Sequence, residues 1–83
     1  MKPILSRNLS PAAAMLLAPR IGATFDATVT GASDRGVWVR IFHPPIEGKL
    51  DTGGSGRQVG DRLRVELTYV DVDRGYIDFV AAR

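Results

Sequence analysis

The feature that most restricts the fold of this chain is the alternation of apolar and polar residues that begins after Gly22. In ATFDATVTG, Phe25, Ala27 and Val29 lie on one face, and threonines and an aspartate lie on the other. A period of two residues is typical of strands with one buried face. The pattern returns in GVWVRIF, RLRVELTYV and YIDFV, and IEGKLD fits a shorter strand containing a glycine. The sequence therefore predicts five short strands.

Segments rich in turn-forming residues separate these strands. GASDRG and DVDRG fit tight turns, and TGGSGRQVGD is a glycine-rich loop. HPP interrupts the pairing after the second strand, because proline has no N–H to donate to a neighbour. Five strands within about sixty residues are too few for a two-sheet sandwich, whereas a small closed barrel leaves no free edges. We therefore expect an all-β fold, in which five antiparallel strands close into a barrel over residues 20–83.

A short helix is predicted before the barrel, in LSPAAAMLLAP. Ser10 fits the N-cap, Pro11 the first helical position and Pro19 the stop. We assign this helix to residues 10–19 and expect residues 1–9 to form a flexible N-terminal segment.

This helix would be about two turns long, which makes it marginal in isolation. Met15, Leu16 and Leu17 are therefore expected to pack on something. They could cap one end of the barrel, or they could be what remains of a preceding domain.

Composition excludes several classes of function. The 83 residues include no cysteine and one histidine, His43, so a disulfide framework, a thiolate site and a histidine-based metal cluster are not expected. The loop hydroxyls have no histidine partner and the aspartates lack the spacing of a catalytic set, so we predict no enzyme activity, cofactor or metal. The longest apolar run is too short to cross a bilayer. We expect a soluble, cytoplasmic protein.

The second strand carries an unusual outer face. The chain's only tryptophan, Trp38, alternates there with Arg40 and Phe42, opposite an aliphatic face. The basic set is nine arginines and two lysines, and arginine binds phosphate bidentately and stacks on flat rings. Trp38 could stack on a ligand or pack inside the protein, for example under the helix. Phe42 could also stack on a ligand, or it could close the end of the barrel.

The order of five short motifs resembles one known family. FDATV is followed by RGVWV, EGKL, VGD and an alternating strand that ends in VD, and RGYIDF comes last. Together they resemble the S1 RNA-binding domain, a five-stranded OB-fold barrel, over Gly22 to Phe79. The sequence is most similar to the C-terminal S1 domain of RNase II/RNase R-type exoribonucleases, in which a helix precedes the domain.

The resemblance implies an RNA-binding face and two departures from the usual pattern. Trp38 matches an aromatic stacking position. Arg35 stands where a second aromatic is usual, and Asp51 falls on or near a usual histidine. Asp71 matches a usual aspartate, and either Arg74 or Tyr76 would fill the basic position at the start of the last strand. With neighbouring cations added, the predicted nucleic-acid-binding set is Arg35, Trp38, Arg40, Lys49, Asp51, Arg64, Asp71, Arg74 and Tyr76.

The resemblance implies a domain that holds single-stranded RNA by base stacking and phosphate contacts, as an accessory to RNA degradation or processing. Its further partner would be a ribonuclease catalytic domain or an RNA-processing complex. Because no catalytic domain is present, the chain is either a fragment or a free-standing relative of the terminal domain. Two other functions stay open: a protein–protein docking module that uses the same aromatic patch, and a residual enzyme.

Overall fold

A computed structural model describes residues 11–82. Helix α1 spans Pro11–Leu17 and continues into a 3-10 turn at Ala18–Arg20. Five strands follow: β1 Thr24–Ser33, β2 Gly36–Ile41, β3 Glu47–Thr52, β4 Arg62–Asp71 and β5 Tyr76–Ala81. The number and order of the strands agree with the alternation in the sequence. The predicted N-cap Ser10 and the segment 1–9 lie outside the described residues.

The strands close into a barrel in the order β1-β2-β3-β5-β4, and β4 pairs back with β1. Four of the five pairings are antiparallel, but β3 and β5 run parallel. The expectation of a purely antiparallel barrel was therefore wrong at this junction. Because β4 returns the chain in the opposite direction without pairing to β3, the next strand lies beside β3 in the same direction.

The barrel interior is filled by the faces that the alternation predicted. Phe25, Ala27 and Val29 of β1 are buried, and every other strand contributes apolar residues to the same cluster. Phe25 and Phe79 meet edge to face, with ring centroids 6.4 Å apart. Edge-to-face contact is a favourable arrangement of two aromatic rings, so this pair helps to fix how β1 and β5 face each other.

Helix α1 packs on β4 and β5 through a single stripe. Ala14 and Leu17, three positions apart, are fully buried in the barrel core, which supports a capping role. Of the three residues expected to pack on something, Leu17 packs on the barrel, whereas Met15 and Leu16 are 64% and 63% exposed. A two-turn helix presents only one face to the surface beneath it, and these residues lie on the others.

Three strands contain an extra residue relative to their partners. The register shifts at Thr30 in β1, at Asp51 in β3 and at Thr68 in β4. An extra residue of this kind breaks the regular alternation and redirects nearby side chains. After Thr68, for example, Tyr69 is exposed and Val70 packs against the core.

Candidate nucleic-acid interface

Three neighbouring strands form the surface on which most of the predicted residues lie. Lys49 pairs with both Trp38 and Asp78, and Glu47 pairs with Arg40. Two residues before Asp78 on the parallel strand β5, Tyr76 falls level with Glu47. The outward residues of this β2–β3–β5 surface are Trp38, Arg40, Glu47, Lys49, Asp51, Tyr76 and Asp78.

Trp38 lies on a floor of glycine backbone. A Cβ atom added at Gly31 or at Gly36 would lie 3.5 Å from its six-membered ring. The one at Gly36 would also lie 3.1 Å from the end of the Lys49 carbon chain. The side chain is half-buried, and its Nε1 is buried without a hydrogen-bond partner among residues 11–82. Because α1 contacts β4 and β5, Trp38 is not packed under the helix. The ring is held in one orientation while part of it stays accessible.

Cations lie beside this ring in the same strands. Arg40 is exposed, between Thr28 and Glu47 on the neighbouring strands. The carboxylate of Glu47 accepts a hydrogen bond from the Thr30 hydroxyl, so it is held in place on the surface. Lys49 is half-buried next to Trp38. The surface therefore offers an aromatic ring with a lysine directly opposite it and an arginine two residues along the same strand.

The turn between β4 and β5 supplies three of the predicted residues. Asp71 Oδ1 accepts a hydrogen bond from the backbone N–H of Arg74 at 3.1 Å, and its other oxygen lies 3.9 Å from the Arg74 guanidinium. The hydroxyl of Tyr69 also reaches Asp71, at 3.4 Å. Tyr76 pairs with Asp71 across the two strands. In this structure Asp71 organises the turn, which brings Arg74 and Tyr76 to the edge of the β2–β3–β5 surface.

Arg64 lies apart from the other predicted residues. It projects from β4 beside β1, where its guanidinium donates to Asp26 and to the Thr24 hydroxyl, both at 2.9 Å. Both members of the ion pair are more than half exposed, so the pair adds little stability. It does occupy the guanidinium, however, and the structure does not bring Arg64 onto the surface of Trp38.

Phe42, the last member of the aromatic face of β2, is half-buried just beyond the end of that strand. The guanidinium of Arg62 lies 5.1 Å from the centre of its ring. A cation over an aromatic face is a stabilising contact. This arrangement gives one face of Phe42 a partner within the protein.

Arg35 and Asp51 line one groove of about 770 Å³ at the end of the barrel. One wall is the β1–β2 turn and the other is the glycine loop, residues 53–61. Arg57 Nε donates to the Gly53 carbonyl at 3.0 Å, and Cβ atoms at Gly53 and Gly54 would press on the barrel. The loop wall is therefore held closely against the protein by contacts at its first two glycines.

The structure places at this site three residues that the sequence pattern did not indicate as binding residues. Glu47 and Asp78 add negative charge to the β2–β3–β5 surface, and Arg57 lines the groove. The alternation signalled that Asp78 faces outward. Nothing in the glycine-rich segment itself indicated that the Arg57 side chain turns back to donate to the Gly53 carbonyl.

Residues 11–82 contain neither a metal-ligand cluster nor a membrane-spanning helix. No group of three or more His, Cys, Asp or Glu side chains in this range is arranged to hold a metal ion. No helix in the same range is long and apolar enough to cross a membrane.

Comparison with known proteins identifies the domain type. Residues 23–82 match the family model of the RNase II-type exonuclease C-terminal S1 domain. No curated protein sequence is detectably similar to the chain.

Two solved structures of Mycoplasma genitalium RNase R are similar in fold. The apo form has a TM-score of 0.71 and 17% identity and covers 87% of this chain. The complex with ribose methylated single-stranded RNA has a TM-score of 0.69 and 18% identity and covers 84%. In both cases the chain corresponds to only 14% of the neighbour's length. The family match spans most of the chain and agrees with the closed five-stranded barrel, and the chain therefore belongs to the RNase II-type exonuclease C-terminal S1 domain family.

Proposed function

We propose that this domain binds single-stranded RNA without catalysing its cleavage, and that it holds the strand for an RNA-degrading or RNA-processing partner. The observation that carries the proposal is the half-buried ring of Trp38 on its glycine floor, with Lys49 and Arg40 beside it. Single-strand sites combine aromatic platforms for bases with cations for the phosphates, and stacking contributes about 1–3 kcal/mol per base. The RNA complex of the similar RNase R structure supports the same ligand class.

The charge of the surface indicates modest affinity. Arg35, Arg40 and Lys49 face the acidic groups of Glu47, Asp51 and Asp78 on the same side of the barrel. Acidic neighbours lower the attraction for phosphates, so the stacked ring supplies a larger share of the binding free energy than in a strongly basic site.

The test is titration of a labelled oligo(U) strand at about 50 mM and 200 mM salt, with tryptophan fluorescence followed in parallel. We expect binding at the lower salt, weaker binding at the higher, and quenching of Trp38 by the stacked base. Trp38→Ala should weaken binding by about 1–3 kcal/mol, and Trp38→Phe, which keeps a ring, by less.

Circular dichroism of both variants separates lost stacking from lost folding. No binding at low salt, or equal binding at the two salt concentrations, would contradict the proposal. Unfolding of Trp38→Ala, together with full binding by a folded Trp38→Leu, which has no ring to stack, would assign the tryptophan to the core alone.

A docking function is favoured by the outer side of helix α1 rather than by the aromatic patch of β2. Helix α1 has the sequence PAAAMLL and carries no charged residue, and its outer side exposes Met15 and Leu16. Ile21, just after the 3-10 turn, is 54% exposed. A helix that is apolar all round is normally covered on both sides. We propose that this side docks on the catalytic domain of an RNase II-type exonuclease, since the family model describes the C-terminal domain of such an enzyme.

A further inference from the structure

We propose that the groove beside Trp38 receives one nucleobase and that the carboxylate of Asp51 gives it a preference for guanine. The inference rests on the proposed RNA-binding function and deepens it, because it assigns a base preference to one position of an otherwise sequence-tolerant site. It is carried by the position of Asp51 in its strand, by the connection between Trp38 and the groove, and by the hydrogen-bonding chemistry of a carboxylate.

Asp51 is the extra residue of β3 where the register shifts against β5. Leu50 pairs with Phe79 and Thr52 pairs with Val80, so Asp51 has no paired residue on β5. Extra residues of this kind are common beside binding sites, where they redirect a side chain. Asp51 is exposed and lines the groove, which places an acceptor on a rigid strand rather than on a mobile loop.

The groove continues directly from the stacking surface. The outer edge of the Trp38 ring lies 3.5 Å from the Cβ position of Gly36, and Gly36 lines the groove. Asp51 comes one residue after Leu50, which pairs with Val37, so it is level with Gly36 on the neighbouring strand. A base that stacks at this edge of the ring brings its own edge, or that of the next base, to the carboxylate.

A carboxylate accepts hydrogen bonds and donates none. Guanine presents two adjacent donors, the N1 and N2 hydrogens, which match the two carboxylate oxygens. Adenine and cytosine present one amino donor next to a ring acceptor, and uracil presents one imino donor between two carbonyl acceptors. Acceptors that face a carboxylate repel it, so guanine is the base that the group favours. These groups form the Watson–Crick edge, on which proteins commonly recognise single-stranded bases.

Arg35 supplies the second contact in the groove. It is exposed in the β1–β2 turn, and its backbone N–H donates to Ser33 Oγ at 3.1 Å. Its guanidinium can stack on a flat base or bind the adjacent phosphate, which offsets the repulsion between Asp51 and the RNA backbone. The groove also contains Asp34, but that residue lies in the turn rather than on a strand.

The test compares short oligo(U) strands that carry a single central guanine, inosine, adenine or uracil. We expect the guanine strand to bind about fivefold or more tightly than the uracil strand. Inosine keeps the N1 hydrogen but lacks the N2 amino group, so its strand should fall between the two. Asp51→Asn should reduce the preference to within about twofold, because the amide has one acceptor and one donor.

Asp34→Asn is the matched control, since it makes the same change in charge within the same groove, and it should keep the preference for guanine. Equal affinities of the wild-type protein for all four strands would overturn the guanine preference and leave RNA binding intact. A preference that survives Asp51→Asn would remove Asp51 from the assignment. Failure to bind any of the strands would instead overturn the proposed function itself.

Discussion

Gly48 lies where β3 crosses the ring of Phe79, and this contact leaves no room for a side chain. A Cβ atom there would lie 2.6 Å from the ring and 2.7 Å from the Ile77 carbonyl oxygen. Because the Ile77 oxygen belongs to the backbone of β5, the neighbour cannot rotate away. The close approach of β3 and β5 therefore depends on a glycine at this position.

We predict that Gly48→Ala lowers the free energy of unfolding by about 1–3 kcal/mol, as overpacked cores do. Gly31→Ala is the matched control. Gly31 is also a strand glycine, but its Cβ position lies at an ordinary 3.5 Å from Trp38. That variant should change stability by about 0.5 kcal/mol or less. Urea unfolding followed by circular dichroism measures both, and equal losses would show that contact with Phe79 is not what decides the cost.

Helix α1 divides its apolar residues between two surfaces. Leu17 is fully buried in the barrel core, whereas its neighbour Leu16 is 63% exposed. Adjacent residues of a helix point in directions about 100° apart, so one can seal the barrel while the other faces a partner. This geometry allows folding and docking to be tested separately.

We predict that Leu16→Lys leaves the thermal midpoint nearly unchanged but abolishes binding to a purified RNase II-type catalytic domain, because a charge in a dry apolar contact is costly. Leu17→Ala, by contrast, should destabilise the barrel by about 2–5 kcal/mol. Calorimetry and sedimentation velocity measure the two effects. Equal binding by the wild-type protein and Leu16→Lys, or self-association through this patch in place of binding, would reject the catalytic domain as the occupant.

The strands were predictable from the sequence because half-buried strands have a period of two, but the extra residues within them were not. Alternation from Leu63 through Leu67 continues inward to Tyr69, yet the shift at Thr68 turns Tyr69 out to solvent. The extra residue in β3, Asp51, is likewise a matter of pairing between strands that are distant in sequence. Local pattern determines which residues alternate, whereas register depends on the closed barrel as a whole.

The same difference in scale explains what could be predicted of the site. The outward position of Trp38 followed from alternation alone, and the resemblance added its neighbours in the turns. Arg64 alternates outward just as well, but outward directions around a closed barrel diverge, and β4 places Arg64 beside Asp26 on β1. Which outward residues share one face could be decided only by the strand order, including the parallel neighbours β3 and β5.

The net charge of +2 arises from eleven basic and nine acidic residues, and charges of both signs are mixed on the proposed RNA surface as well. Arg57 and Arg74 also lie there, but each is held by a partner within the protein. We therefore assign the phosphate contacts to three other cations, Arg35, Arg40 and Lys49. For single strands, the logarithm of the binding constant falls with the logarithm of salt concentration by about 0.7 for each phosphate neutralised. Three contacts therefore give a slope of about −2.

We predict that Arg40→Gln reduces this slope by about 0.7 and weakens binding to all sequences alike, because it removes one phosphate contact and no base contact. Arg64→Gln is the control: it removes the same charge from the molecule, but from a guanidinium held by Asp26 away from Trp38. Its slope should equal that of the wild-type protein. Titrations of oligo(U) across a series of salt concentrations give all three slopes. If the two variants show the same reduction in salt slope, net charge rather than position governs binding. The RNA strand would then have no fixed path over Trp38 and Arg40.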